Sequence, residues 1–101
     1  MRRGTTPTFS FEVDMDLSGW DVYVTFRQNS KAVTRNDADV TPSNEGCLCT
    51  VELTQEETLL FRHGKADAQI RACKDDVAVA SSIFEFNVGE ILLDGEIPQE
   101  V

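Results

Sequence analysis

Three cysteines, one histidine and several paired aspartates are the side chains of this 101-residue sequence with the most reactive chemistry. Cys47 and Cys49 lie two apart, with Cys73 well downstream. Joined by His63 they make a zinc site conceivable, because thiolate and imidazole are donors that zinc favours. Their spacing matches no common ligand pattern, and Cys73 falls on the outward parity of its own strand. An odd cysteine count argues against a disulfide framework. Cys47 and Cys49 would share one strand face with Cα atoms about 6.5–7 Å apart, too strained a geometry for a bridge. Both are expected to act as small apolar core residues, and no metal is expected.

The acidic pairs are Asp14 with Asp16, Asp37 with Asp39, and Asp75 with Asp76. Two such turns meeting at one end of a domain could hold calcium. No complete loop of ligands is visible, and aspartates in turns commonly bond their own backbone. His63, within Arg62-His63-Gly64, suits a helix end, where it can meet the last carbonyls. A catalytic base needs a nucleophile and an orienting acid nearby, and neither is evident. The serines stand singly or as Ser81-Ser82 inside a strand pattern, and no phosphate loop or nucleophile elbow occurs. The expectation is a protein with no catalytic residues and no cofactor, and therefore not an enzyme.

The composition narrows the partners. Eighteen acidic and nine basic residues give a formal charge of −9. Phosphates would be repelled by such a surface, which argues against nucleic acid and anionic membranes. Met1-Arg2-Arg3 is followed by Gly4-Thr5-Thr6-Pro7-Thr8 rather than an apolar run. No secretory segment or membrane span is expected, and the cytoplasm is the expected compartment. Apolar residues at 41% suffice for one folded domain.

The elements that would position these residues read as strands. Phe9, Phe11 and Val13 alternate with Thr8, Ser10 and Glu12. Trp20, Val22, Val24 and Phe26 alternate with Asp21, Tyr23, Thr25 and Arg27, with Trp20 expected in the core. A hairpin turn at Gln28–Lys31 leads to a short strand over 32–35. Val40-Thr41 reads as a brief edge segment that Pro42 stops. Cys47, Cys49, Val51 and Leu53 form the next inward face. Thr54-Gln55-Glu56-Glu57 fits a capping box opening one helical turn near 55–62. Leu59-Leu60-Phe61 should dock on the core, and Gly64 should end the turn. Ala66, Ala68, Ile70 and Ala72 mark another strand. One long strand is expected over 77–88, with either Val77-Val79 or Ala78-Ala80 facing in early. Phe84, Phe86 and Val88 face in later, and a bulge near Ser81-Ser82 would explain the ambiguous register. Ile91-Leu92-Leu93 reads as a last short strand. About seven short strands at such spacing predict an all-β sandwich over residues 1–95, with a loosely held tail over 96–101.

Five stretches carry a family resemblance: Arg2–Pro7, Trp20–Gln28, Leu53–Leu59, Ala68–Ala72 and Val88–Gly95. In their order and spacing they resemble a family of small proteins encoded in prophages of Gram-positive gut bacteria. That family is similar to the N-terminal immunoglobulin-like domain of phage baseplate upper proteins, which attaches a receptor-binding arm to the tail. The resemblance implies an immunoglobulin-like sandwich and a virion structural or assembly role. Its partners would be phage structural proteins, with homo-oligomers possible. The protein would reside in the host cytoplasm during assembly and then in the virion. No arm or coiled-coil continuation is expected after this domain, and a stand-alone structural piece is expected rather than a receptor-binding arm. Contact is expected at Arg2, Arg3, Thr5, Thr6 and Pro7, at Tyr23, and at Ile91, Leu92, Leu93 and Ile97, with an acidic neighbour for the basic pair. The competing expectation is a small acidic intracellular module that regulates a host protein, with its charge as the working face.

Overall fold

The computed structural model describes residues 1–44 and 46–92. Leu93, Ile97 and the rest of the expected tail lie outside the described residues. Two antiparallel sheets pack face to face as a β-sandwich. The smaller holds β1 (Thr8–Val13), β5 (Gly46–Glu52) and β4 (Asp39–Ser43), in the order β1-β5-β4. The larger runs β3 (Lys31–Arg35), β2 (Asp21–Gln28), β6 (Gly64–Lys74). Beyond β6, on its far side, lie β7 (Val77–Ala80) and β8 (Phe84–Val88).

Alternation sets the inner faces. Phe11, Val24, Phe26, Cys47, Cys49, Val51, Ala68, Ile70 and Val88 are all buried. Phenylalanines seam the sheets together. Phe9 lies 5.0 Å from Phe26 and 5.2 Å from Phe86, and Phe11 lies 4.9 Å from Phe84, measured between ring centroids. Offset and edge-on rings at such distances attract beyond their burial. Trp20 is half-buried at the margin of this core rather than inside it.

The expected long strand over 77–88 is broken. Arg71 faces Ala80 while Ala68 faces Phe84, so Ser81, Ser82 and Ile83 stand opposite only Gln69 and Ile70. One extra residue is a bulge, here wide enough to split the strand. Ser81 replaces the lost ladder. Its N–H donates to the Ile70 carbonyl at 2.8 Å, and its Oγ accepts from the Ile70 N–H at 3.0 Å. Of the two early faces, Val79 packs on the core while Ala78 and Ala80 are exposed.

Three boundaries differ from expectation. Pro42 does not stop β4, where it stands opposite Cys47. The strand is an edge, and an edge tolerates a residue without an N–H. The helix α1 (Gln55–Leu59) ends at Leu60, whose backbone is right-handed, not at Gly64. Gly64 instead opens β6 with φ of 137°, a conformation that favours glycine. Phe61 is fully buried, whereas Leu60 is 43% exposed, so only part of the apolar run docks. The capping box forms as expected. Thr54 Oγ1 accepts from the Glu57 N–H, and the Glu57 carboxylate accepts from the Thr54 N–H.

Candidate interaction surfaces

The N-terminal residues bind their own fold. The Met1 ammonium donates to the Asn87 carbonyl at 2.6 Å. The Gly89 N–H donates to the Met1 carbonyl, and the Arg3 N–H donates to the Gly89 carbonyl at 3.1 Å. Arg2 forms a one-residue parallel bridge to Gly89, and its Nη1 donates to the Glu90 carbonyl. This clasp occupies the backbone just past β8. Of the expected last strand, Ile91 and Leu92 are not in a strand, which corrects that expectation for these two residues.

Arg3 is buried rather than displayed. Its Nε donates to the Phe61 carbonyl at 2.6 Å and its Nη2 to the Leu59 carbonyl at 3.2 Å. Carbonyls at a helix end lack intrahelical donors, and this guanidinium supplies them. His63, expected in that role, is exposed. Thr5 gives its carbonyl to Thr58 Oγ1 at 2.9 Å, and its own hydroxyl donates to the Arg2 carbonyl. Half-buried Pro7 accepts from the Leu53 N–H through its carbonyl. Thr6 is exposed. The expected N-terminal contact set is thus brought together, largely onto the domain itself.

The remaining expected contacts divide. Tyr23 is 41% exposed on the outer face of the larger sheet. It lines a cleft of about 350 Å³ with Thr25, Thr34, Arg71, Cys73 and Ala78. Ile91 is half-buried against Gly4, whereas Leu92 is fully exposed.

The reactive residues are accounted for structurally. Cys47 and Cys49 are buried free thiols, and Cys73 is half-buried. Burial, with Cys47 beside it, pushes the Cys49 thiol up to about 12. A thiol so hard to ionise is a poor nucleophile and ligand. Asp16 accepts from the Ser18 N–H at 3.0 Å, which holds its carboxyl below the usual range. Asp37 is held low by the Arg35 guanidinium, which donates to both its oxygens. Arg35 also donates to the Glu52 carbonyl and to the Glu57 carboxylate at 2.6 Å. It therefore ties the β3 edge to β5 and to the helix cap. Among the described residues, no three or more His, Cys, Asp or Glu side chains gather as metal ligands.

Sequence reasoning missed a groove of about 600 Å³ on the side where β1 and β7 end their sheets. Val13, Met15 and Leu17 line it from the end of β1 and the segment that follows, and Ile70, Ala72, Val79 and Phe84 line it from the larger sheet. Glu12 and Asp14 are the charged residues on its lining. The Ser81 hydroxyl, also on the lining, is already engaged with Ile70 and Ser82. The gap brings Ser81 and Ser82 of the bulge beside Val13 of the other sheet, which is distant in sequence, and Ser81-Ser82 was its one local signal. No protein-family model matches the chain, and no curated protein matches it.

Proposed function

We propose that this chain is a non-enzymatic virion structural or assembly protein of a phage tail or baseplate region, working through protein–protein contacts. The observation that carries this reading is a small sandwich with strand edges open on one side and Tyr23 and Leu92 exposed. Such edges call for a partner or a cover. The family resemblance of Trp20–Gln28, Leu53–Leu59 and Val88–Gly95 supplies the biological setting, including an immunoglobulin-like connectivity and passage from host cytoplasm to virion. Particles purified after induction of the encoding prophage should contain the chain in fixed stoichiometry. A chain abundant in the lysate and missing from the particles would sink the proposal.

The charge of −9 favours a second reading, a small acidic module that binds a basic face of a host protein. Partner capture would then weaken steeply with salt, and the partner would be a host protein rather than a phage one.

A further inference from the structure

We propose that the groove between β1 and β7 takes an extended segment of a different polypeptide, with apolar side chains at alternate positions and lysine or arginine between them, as an added β-strand. This rests on the contact-module reading above and gives it a surface. Strand addition needs a free edge for main-chain hydrogen bonds and pockets for alternate side chains. Among the described residues β1 pairs only with β5, and β7 only with β6. Val13, Met15, Leu17 and Val79 supply apolar walls between those edges. A small-molecule site would instead set a few polar groups converging on the cavity. Among the described residues no buried side-chain polar atom lacks a partner.

The two sides of the sandwich are treated differently. On the other side, β4 carries Pro42 and Arg35 ties down β3. Proline and charge are the usual protections of an edge. The β7 edge is Val77-Ala78-Val79-Ala80, with neither. Charge selects the occupant. Glu12 and Asp14 line the groove and, among the described residues, no cation does. The chain's own residues 93–101 carry Asp94, Glu96 and Glu100 with no lysine or arginine. That segment, from a second copy, would bring like charge to the groove.

The probe is an acetylated nonapeptide of alternating lysine and valine, titrated calorimetrically into the full chain at physiological salt. Its glutamate–valine counterpart is the control. The lysine peptide should bind, the acidic peptide should not, and amides of β7 or β1 should gain protection from hydrogen exchange. Reversing the groove charges with Glu12→Lys and Asp14→Lys should weaken binding at least about tenfold. These are exposed positions, so folding survives. Val13→Lys should abolish binding. Equal binding to the charge-reversed chain would show mere attraction to an acidic surface and overturn the proposal. Equal binding of the acidic peptide, or dimerisation of the free chain at physiological salt that Val13→Lys removes, would also overturn it. Peptide binding by a chain absent from virions would leave the groove standing and remove the virion reading. A chain present in virions that binds no peptide would do the reverse.

Discussion

Replacing Gly46 with alanine should be among the most damaging single-methyl changes this domain can take. Gly46 opens β5 with φ of 149°, and an added Cβ would lie 2.2 Å from the Val13 carbonyl oxygen and 2.5 Å from the Met15 nitrogen. Both obstacles are backbone, so no rotamer change relieves them. The end of β1 must move, and it belongs to a register that places Val13 opposite Cys47. Two costs add. An unfavourable backbone conformation for alanine costs about 1–3 kcal/mol, and overpacking costs about 1–3 kcal/mol. The total of about 2–6 kcal/mol compares with about 5–15 kcal/mol for the whole stability of a small domain. Gly19 is the internal control, with φ of 82° and nothing within 4 Å of where a Cβ would stand. Gly19→Ala should therefore cost only the conformational part, about 1 kcal/mol. Each kcal/mol moves the melting temperature of such a domain by about 4–8 °C. Calorimetry should place Gly46→Ala below Gly19→Ala by about 4 °C or more. Equal losses in the two variants would refute the close-approach argument.

Arg3→Ala should cost about 2–4 kcal/mol in chemical denaturation, because the carbonyls of Leu59 and Phe61 lose a charged donor. Arg3→Lys should recover only part of it, since an ammonium cannot present the same fork. The Asp37 carboxyl is held low in the folded state, so its pairing with Arg35 stabilises above the unfolded carboxylate pKa of about 4 and is lost as pH falls through the folded value. Asp37→Asn should flatten that acid limb of a stability–pH profile and leave the neutral-to-basic part parallel to wild type. Native protein treated with a thiol reagent at neutral pH should label at half-buried Cys73 first, and at Cys47 and Cys49 only on unfolding, because both are buried and the Cys49 thiol is raised to about 12. Rapid labelling of all three would contradict that order.

What the sequence made legible was local. The alternation Trp20-Val22-Val24-Phe26 fixed the inner face of β2, and Thr54 with Glu57 announced the helix start, because both depend on neighbours a few residues away. Arg3 was not legible as a buried residue. Its partners lie 58 and 56 positions away, and an arginine beside a second arginine reads as surface. Pro42 misled for a related reason. Proline blocks an interior strand but not an edge, and edge status follows from the sheet order β1-β5-β4. Ile91-Leu92 had strand-like composition, yet neither residue lies in a strand, since composition does not supply a partner edge. The groove depends on the same long-range geometry, since Val13 and Val79 belong to different sheets.

The acidity and the open edge are physically connected. An uncharged Val77–Ala80 edge invites pairing between copies, whereas a charge of −9 on each chain opposes their approach. That opposition is electrostatic, so it should fail when screened. The Debye length falls from about 8 Å at physiological salt to about 3 Å at 1 M. Light scattering should accordingly find the chain monomeric at physiological salt and self-associating at about 1 M sodium chloride. Ala78→Lys, at an exposed position of that edge, should abolish the salt-induced association. The lysine puts a charge on the edge while lowering the net negative charge, so repulsion between whole chains cannot explain the loss. A wild-type chain that stays monomeric at high salt, or an Ala78→Lys chain that associates as readily, would show that charge is not what keeps this edge unpaired.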